Sequence, residues 1–375
     1  MKRILIFASY APSLQNFRGA LIEELIRRGY EVHAVAPNLI GDNRTQDWLE
    51  KRGVVCHNVD LSRTGLNPIA DIKTIKQLRS LMRSIRPDVF LGYTIKPVIW
   101  GLLVARMVSI PQRVALITGL GYAFTENASG LRGLVRNVAR FLYNLALKYA
   151  TLVFFQNPDD RDDFDKLGLL PNGVPIKLTA GSGVDTEHFA QRPFPPPPMR
   201  FLLIARLLGD KGIREFVAAA HLLQHKWPDA EFHIAGGTDL SPNGISKEEV
   251  LEWNERPNVT WHGHLSDVRN AISQSHVYVL PSYREGTPRT VLEAMSIGRP
   301  IITTDAPGCR QTVVTGENGF LVPVKDVKAL ADAMERFLNN PQLVEKMGQS
   351  SRNMSKRVFD VHRVNASILS DMELD

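Results

Sequence analysis

The chain has 375 residues, too many for one ordinary domain, and this length predicts two. Its 44% hydrophobic and 22% charged residues are typical of a globular protein and exclude a disordered or fibrous one. The net charge of +6 is unevenly distributed, because residues 61–150 carry 13 basic against 3 acidic side chains. This concentration indicates an anionic partner, namely nucleic acid, an anionic membrane or a phosphorylated substrate.

Several classes of protein are disfavoured by what the sequence lacks. Cys56 and Cys309 are too few for a disulfide framework or a zinc site. The first apolar run, Ile4–Ala8, is too short for a signal peptide, and no stretch reaches the roughly 18 apolar residues of a membrane span. The 10 histidines show no metal-ligand spacing, so no metal is expected. A cytoplasmic location is the simplest interpretation.

Short apolar runs alternate with helical patterns along the chain. In the first half, strands are predicted at 3–8, 31–36, 88–91, 113–117 and 151–155, and helices at 19–28, 69–86 and 131–149. In the second half, strands are predicted at 200–205, 231–235, 258–262, 276–280 and 300–304. The alternation is typical of parallel sheets built from βαβ units and predicts an α/β chain with two doubly wound, Rossmann-like domains.

A proline run predicts the boundary between the domains. Four consecutive prolines can neither pair within a sheet nor continue a helix, so 193–198 is interpreted as a stiff linker. It separates an N-terminal domain, 1–192, from a C-terminal domain, 199–356. Residues 357–375 are interpreted as a final helix that is able to cross back to the N-terminal domain.

The most specific pattern is EGTPRTVLEAM at 285–295, directly after a predicted strand. Thr287 predicts an N-cap and Pro288 a first helical residue. Free backbone amides at this helix start suit a diphosphate outside the carboxyl end of the strand. The residues assigned to this contact are Gly286, Thr287, Arg289 and Thr290. Glu293 lies two turns further on among apolar neighbours, where burial requires a hydrogen-bonded partner such as ribose hydroxyls. A solvated helical glutamate is the alternative.

Arg206 and Lys211 form a second pattern. The predicted strand ends at 205, so Arg206 emerges at its carboxyl edge, and Lys211 lies near the start of the next helix. Gly209 and Gly212 allow a tight turn between them. Two cations at such a turn can clamp a phosphate as it leaves, although each alone would be an ordinary surface residue.

Together these residues resemble the retaining glycosyltransferases of family four, which have the GT-B fold, with two Rossmann-like domains facing a central cleft. The resemblance covers nearly the whole chain. Glu285 and Glu293 match the family's E-x7-E pair, and Arg206 and Lys211 match its Arg…Lys-Gly pair. The segment GSGVDTEHF at 181–189 resembles the family's "NGVD" segment.

The resemblance implies a catalytic site for a nucleotide sugar. Glu285 would hold the hydroxyls of the donor sugar and Glu293 those of the ribose, while the two cations neutralise the diphosphate. The segment 259–265 is similar to the strand and turn whose backbone reads the base, which assigns that contact to Leu265. UDP is preferred over GDP by resemblance, and the donor is a substrate, so no cofactor is expected.

In the first domain the resemblance implies a turn near the phosphates at 15–19, with the single glycine Gly19 where many relatives have two. Many relatives also place a histidine after the fifth strand, where this chain has Leu120. In a retaining front-face mechanism the departing phosphate can take the acceptor proton, so transfer is not excluded. The acceptor contacts are assigned to Arg18, Lys96 and Thr118, with a plain surface residue as the alternative for Lys96.

The predicted helix around 130–149 carries a cationic stripe at i, i+4 and i+8, formed by Arg132, Arg136 and Arg140. A broad apolar face is predicted from Leu134, Val135, Val138, Phe141, Leu142 and Leu145. The helix either packs on a core or attaches to an anionic membrane that delivers a lipid-linked acceptor. Nucleic-acid binding is the weaker alternative, because no helix-turn-helix, RNP-like strand or zinc finger is present.

The resulting hypothesis is transfer of a hexose or N-acetylhexosamine from a UDP-sugar to a lipid-linked or polysaccharide acceptor. The segments 119–122 and 287–289 look like those of bacterial enzymes that build O-antigen, capsule or lipid-linked oligosaccharide, including N-acetylgalactosaminyltransferases. The protein would then be peripheral on the inner leaflet of the cytoplasmic membrane. A sugar-nucleotide epimerase of the same fold and a non-catalytic membrane partner remain alternatives. A dehydrogenase is disfavoured, because no G-x-G-x-x-G follows the first strand.

Overall fold

The chain forms two compact units. The computed structural model describes residues 1–62, 67–119, 130–239, 241, 243–254 and 258–374, without the side chains of 130–132, 134, 135 and 254. The first unit comprises Met1–Ser182 together with Asn365–Asp375, and the second comprises Gly183–Val364. The chain therefore enters the second unit at Gly183, earlier than the predicted domain boundary at residue 192.

The first unit is a parallel sheet with helices between its strands. The strands are β1 (Arg3–Phe7), β2 (Glu31–Ala36), β3 (Val55–Asn58), β4 (Val89–Tyr93), β5 (Gln112–Ile117), β6 (Leu152–Phe155) and β7 (Ile176–Leu178). The helices are α1 (Pro12–Arg27), α2 (Asn43–Glu50), α3 (Pro68–Ile85), α4 (Ile95–Met107), α5 (Gly130–Leu147) and α6 (Pro158–Lys166). The strand order β3-β2-β1-β4-β5-β6-β7 is that of a doubly wound sheet.

The second unit repeats this plan. Its strands are β8 (Arg200–Ile204), β9 (Glu231–Ala235), β10 (Val259–Trp261), β11 (Val277–Leu280), β12 (Ile301–Thr304) and β13 (Gly319–Val322), in the order β10-β9-β8-β11-β12-β13. The helices are α7 (Ile213–Gln224), α8 (Lys247–Asn254), α9 (Arg269–Ser273), α10 (Arg289–Ile297), α11 (Val327–Asn339) and α12 (Gln342–Met354). A last helix, α13 (Val361–Asp371), begins in this unit and continues into the first. The prediction of two Rossmann-like domains is confirmed.

The predicted strands are present, and three further strands were missed. The central strands are apolar and buried on both faces, as in β1, where Ile4–Phe7 are fully buried. The missed strands β3, β7 and β13 all lie at sheet edges. β3 and β7 are short and half exposed, so neither contains the apolar run that marks a central strand.

One predicted turn of the first unit is instead helical. Helix α1 begins at Pro12, a favourable first position, so 15–19 lies inside the helix and not in a glycine-rich turn. Gly19 packs against α2, where an added Cβ would lie 3.1 Å from the Trp48 ring. The expected turn is therefore wrong, because the segment is helical. The phosphate contact assigned to Gly19 stays a prediction.

The proline-rich segment is anchored to the second unit by two buried arginines. Arg299 is fully buried and donates hydrogen bonds of 2.9–3.1 Å to the carbonyls of Ile272, Ser273, Arg192 and Pro193. Arg352 donates to the Thr186 and Phe189 carbonyls. The segment that follows Ser182 is thereby part of the second unit, and the change of unit precedes the prolines.

The C-terminal residues belong to the first unit. Ile368, Leu369, Met372 and Leu374 are buried. Arg28 of α1 donates to the Leu374 carbonyl and Gln112 of β5 to the Met372 carbonyl, both at 2.6 Å. The chain thus returns to the first sheet at its end.

Candidate active site

Two neighbouring strands bring the predicted catalytic residues of the second unit together. β8 and β11 pair directly and in parallel, so the loops that follow them leave from the same edge of the sheet. Arg206 and Lys211 follow β8, and Glu285 follows β11. The Tyr283 amide donates to the Asp210 carbonyl at 2.8 Å and joins the two loops.

Gly212 allows the close contact between these loops. Its φ of 70° lies in the left-handed region, and an added Cβ would collide with the Pro281 carbonyl oxygen. The preceding single 3₁₀ turn, Gly209–Lys211, therefore lies directly against the segment that leads to Glu285. The predicted tight turn is correct at this position.

Lys211 and Glu285 form an ion pair. The Lys211 Nζ lies 2.7 Å from Glu285 Oε1, and the Ser282 hydroxyl donates to the same oxygen at 2.8 Å. Burial alone would lower the pKa of Lys211, but the adjacent carboxylate outweighs burial and raises it above the ordinary value. Lys211 is therefore a positive charge at neutral pH. Ser282 was not identified from the sequence, although its position three residues before Glu285 made it a candidate.

Arg206 is the more exposed of the two cations. Its side chain is 59% exposed and its Nη1 lies 3.0 Å from Asp239 Oδ2. Hydrogen bonds from Ser241, more than the charge of Arg206, hold the pKa of Asp239 below its usual range. The guanidinium thus stands at the same sheet edge as Lys211 and is open to a ligand. Asp239, which follows β9, was also missed.

Helix α10 begins one residue later than predicted. Pro288, with extended backbone, is the N-cap residue, and Arg289 is the first helical residue, so Thr287 is not the N-cap. Proline was placed inside the helix because it favours the first helical position, yet here it precedes it. The Thr290 hydroxyl donates to the Ile204 carbonyl at 3.2 Å and holds the helix start against the end of β8.

Glu293 is buried within α10, so it is not a solvated helical glutamate. Its partner is Arg289 on the preceding turn, whose Nε lies 2.9 Å from Glu293 Oε1. Burial raises the pKa of Glu293 although Arg289 opposes the shift, and the charge of Asp267 adds to the increase. The prediction that a buried carboxylate here needs a hydrogen-bonded partner is correct, and that partner is an arginine.

The turn after β10 is held by backbone hydrogen bonds. The His262 amide donates to the Ile234 carbonyl at 2.9 Å, and the Gly236 amide donates to the Gly263 carbonyl at 2.7 Å. Leu265, the predicted base contact, is half-buried in this turn. Asp267 follows closely enough to influence the pKa of Glu293. The turn therefore lies in the same part of the unit as the carboxylates.

The residues assigned to the acceptor lie in the first unit. Arg18 is buried within α1, with its guanidinium 5.2 Å from the centre of the Tyr93 ring. Lys96 is also buried, with its Nζ 3.0 Å from Asp71 Oδ1. Lys96 is therefore not a plain surface lysine, and its assignment to the acceptor stays a prediction. Thr118 is half-buried just beyond β5, and Leu120 lies outside the described residues.

Helix α5 has an exposed apolar side. Phe141 is 66% and Val138 is 40% exposed, whereas Tyr143 and Leu147 are buried in the first unit. Arg136 and Arg140 are half-buried, and the side chains of Arg132, Leu134 and Val135 lie outside the described residues. The predicted apolar face is therefore divided, because only part of it packs on the core. Among the helices that the structure describes, none is long and apolar enough to cross a bilayer.

Comparisons with known proteins assign the chain to a family. Residues 184–354 match the family described as glycosyl transferases group 1, and residues 4–157 match the glycosyl transferase 4-like family. The chain is 30% identical over 350 residues to the N,N'-diacetylbacillosaminyl-diphospho-undecaprenol alpha-1,3-N-acetylgalactosaminyltransferase of Campylobacter jejuni, with 90% of each chain covered. The chain belongs to family four of the glycosyltransferases.

Further similarities support this assignment. The glycosyltransferase is 25% identical to an Escherichia coli UDP-Gal:alpha-D-GlcNAc-diphosphoundecaprenol alpha-1,3-galactosyltransferase, covering 82% of this chain and 79% of the relative. Sucrose-phosphate synthase from Thermosynechococcus elongatus has a similar structure, with a TM-score of 0.80, 17% identity and coverage of 100% and 98%. Anabaena HepE, solved with UDP and glucose, has a TM-score of 0.77 at 15% identity and full coverage of both chains. The GT-B fold is confirmed.

Proposed function

We propose that this glycosyltransferase moves a sugar from a UDP-sugar to an undecaprenyl-diphosphate-linked acceptor, with retention of the anomeric configuration, in bacterial surface glycan synthesis. The relatives from Campylobacter jejuni and Escherichia coli are named for such acceptors, and the Escherichia coli relative for a UDP donor. An N-acetylhexosamine or a hexose is the expected sugar. Glu285, Arg206 and Lys211 are its proposed catalytic residues.

The observation that carries the proposal is the ion pair between Lys211 and Glu285, 2.7 Å long. A cation that can neutralise the diphosphate lies beside a carboxylate that can accept hydrogen bonds from sugar hydroxyls. In the free protein each satisfies the other. When the donor binds, Lys211 moves its contact to the diphosphate, and Glu285 is released to hold the sugar. The two halves of the donor are thereby recognised together.

The same residues suit departure of the nucleoside diphosphate. Negative charge accumulates on the leaving phosphate as the glycosidic bond breaks, and preorganised cations stabilise that charge. Arg206, exposed at the same edge, adds a second positive charge. These two cations do the work that a metal ion does elsewhere, so the proposal contains no metal. The departing phosphate takes the acceptor proton, so no side-chain base is required.

The remainder of the donor site is proposed around α10. The start of this helix, with Arg289 and Thr290, and the two residues before its N-cap, Gly286 and Thr287, approach the diphosphate through backbone amides. Glu293 accepts hydrogen bonds from the ribose in exchange for its contact with Arg289. The backbone at Leu265 contacts the base. These roles rest on the family resemblance together with the burial of Glu293.

We also infer that the enzyme attaches peripherally to the inner leaflet of the cytoplasmic membrane through α5. A lipid-linked acceptor requires access to a membrane, and α5 combines exposed Phe141 and Val138 with arginines at i and i+4. An exposed apolar side on a helix that also carries cations is typical of helices that lie in a bilayer interface. The excess of basic residues within 61–150 acts in the same direction.

A donor screen followed by a transfer assay tests the proposed function. Thermal unfolding of the full chain with UDP, GDP and their sugars identifies the donor, because a ligand at ~100-fold its Kd adds about 2.7 kcal/mol of stability. We then expect UDP release only when a polyprenyl-diphosphate-linked sugar is also present, and Glu285→Gln to reduce that release about 10²–10³-fold while UDP still binds. Acceptor-independent conversion of the donor would instead indicate an epimerase, and full activity of Glu285→Gln would contradict the site.

A further inference from the structure

A chain of polar side chains crosses one edge of the second sheet. Arg200 of β8 donates to Glu231 of β9 at 2.7 Å, and Glu231 lies 3.2 Å from His233 Nε2. The other ring nitrogen of His233, Nδ1, lies 2.8 Å from Nε2 of His262, which follows the edge strand β10. The outermost strand is thus tied to the sheet centre by side chains as well as by its backbone.

The first sheet contains the same chain of contacts. Arg3 of β1 donates to Glu31 of β2 at 3.1 Å, Glu31 lies 3.0 Å from His33, and His33 Nδ1 lies 3.0 Å from Nε2 of His57 in the edge strand β3. The register is also equivalent, since Arg3 opposes Glu31 as Arg200 opposes Glu231. The histidine pair of the first unit can therefore serve as a control for the equivalent pair of the second unit.

Each histidine pair is joined by one hydrogen bond between two ring nitrogens. A hydrogen bond between two imidazole nitrogens needs one donor and one acceptor, so two imidazolium rings cannot make it. Burial and the neighbouring His33 lower the pKa of His57 to about 4, and burial and the neighbouring His233 lower that of His262. Among the residues that the structure describes, Glu231 and Arg200 are the charges joined to this pair by hydrogen bonds. The bond is therefore lost only when both rings are protonated, and the lowered pKa of His262 opposes that state at neutral pH.

Only the second pair adjoins the proposed donor site. His262 begins the turn that contains Leu265. In the same turn, the His264 Cβ lies 3.7 Å from the position that a Cβ added to Gly237 would occupy. The Leu207 amide donates to the Gly237 carbonyl at 3.0 Å, directly beside Arg206. The turn is therefore linked through one intervening segment to the cation that faces the diphosphate. The first pair lies in β2 and β3 of the other unit.

We propose that the hydrogen bond between His233 and His262 positions the turn at 262–265 for the nucleotide, and that His262 is a positioning residue for donor binding. The inference rests on the proposed function, since it assumes that this turn contacts the base. His262 itself does not touch the reacting atoms. Its loss raises the donor KM and leaves kcat unchanged, whereas the twin pair contributes only to the stability of the first unit.

Calorimetric titration of the full chain with UDP tests this role in four variants. His262→Phe removes the bond and His262→Gln retains a hydrogen-bonding amide that does not titrate, while His57→Phe and His57→Gln are the matched pair in the first unit. We expect His262→Phe to weaken UDP binding about 3- to 10-fold at neutral pH, with His262→Gln within about 2-fold of wild type. His57→Phe lowers the melting temperature without changing UDP affinity.

The pH profile separates positioning from general stability. Protonation of both rings removes the hydrogen bond, and the lowered pKa of His262 places that loss in acid. We therefore expect wild-type affinity for UDP to fall toward acid pH more steeply than that of His262→Gln. Three results would each overturn this inference and leave the proposed function intact. They are parallel pH profiles, unchanged UDP affinity of His262→Phe, and equal weakening of UDP binding by His57→Phe. Absence of UDP binding by the wild-type protein would overturn the proposed function as well.

Discussion

Glu293, the proposed ribose contact, is buried at a cost to the stability of the fold. It is a carboxylate on a helix whose neighbours Val291, Leu292, Ala294 and Met295 are fully buried. Arg289 provides a hydrogen bond, but burial still raises the pKa of the carboxyl above its ordinary value. A raised carboxyl pKa means that the folded protein binds the proton more tightly than the unfolded chain does. The contribution of this group to stability therefore falls as the pH rises through its ordinary value.

We predict that Glu293→Gln stabilises the protein and weakens nucleotide binding. The amide removes a buried charge, so the melting temperature rises at neutral pH and changes little at about pH 4, where the wild-type carboxyl is protonated. Loss of a charged acceptor for the ribose hydroxyls weakens UDP binding about 10- to 100-fold. Thermal unfolding and UDP titration of the same samples measure both effects.

Glu252→Gln is the matched control, since Glu252 is an exposed glutamate on helix α8. It changes stability by no more than about 0.5 kcal/mol and leaves UDP affinity unaltered. If Glu293→Gln kept full UDP affinity, Glu293 would have no role with the ribose. Functional sites in proteins commonly reduce stability, and an increase in stability together with a loss of UDP affinity would identify such a site here.

At the scale of elements, α5 has two kinds of apolar surface. Tyr143, Ala146 and Leu147 pack into the first unit, whereas Phe141 and Val138 remain exposed. Exposed apolar side chains that lie on one side of a helix are a feature of surfaces that contact a membrane or another protein. The arginines on the same helix make an anionic bilayer the proposed phase.

We predict that Phe141→Ser reduces flotation with anionic vesicles about 10-fold or more, because an inserted phenylalanine contributes about 1.5–3 kcal/mol. Changing Arg132, Arg136 and Arg140 together to Gln should have a comparable effect at low salt, at roughly 1 kcal/mol per arginine. Added salt mimics the arginine changes but not Phe141→Ser, since the Debye length is about 8–10 Å at physiological ionic strength. UDP affinity stays constant throughout.

Leu222→Ser provides the control for general surface hydrophobicity, because Leu222 is 56% exposed on α7 of the second unit. It should float as the wild type does. Equal flotation of all variants would show that α5 is a solvated helix of ordinary amphipathic character. Activity on a water-soluble acceptor then distinguishes delivery from chemistry, since a membrane role affects only the lipid-linked acceptor.

At the scale of the whole molecule, the chain ends in the unit where it began. Residues Asn365–Asp375 group with the first unit, and Leu369 and Leu374 are buried there. Lys177 of β7 contributes an ion pair with Asp371 at 2.9 Å. The first unit is therefore incomplete without the C-terminal residues, whereas the proposed donor site is formed by residues of the second unit.

We predict that Leu369→Ala destabilises the first unit by about 2–5 kcal/mol, the usual result of truncating a fully buried leucine. Its exposed neighbour provides the control, and Ser370→Ala should remain within about 0.5 kcal/mol of wild type. Hydrogen exchange should increase in β1–β7 and remain unchanged in β8–β13, and UDP binding should persist. Equal loss of protection in both sheets would contradict this assignment of the tail.

The sequence alone determined the class of fold, the family and much of the candidate site. Central strands such as β1 and β11 are apolar on both faces, and this pattern is local, so it can be found without knowledge of neighbours. The EGTPRTVLEAM segment and the Arg206–Lys211 turn are equally local, because each combines a strand end with the start of a helix. Their common location follows from the rule that parallel strands present their carboxyl ends at one edge.

The tertiary structure alone decided which groups touch. Lys96 meets Asp71, Gly19 meets Trp48 and Lys211 meets Glu285. The repeated Glu-x-His pattern of β2 and β9 was present in the sequence but gained meaning only when each edge strand supplied a second histidine. Such contacts join residues far apart in the chain, and their energies depend on distance and burial. Local patterns carry neither quantity, because both arise only when the sheets have formed.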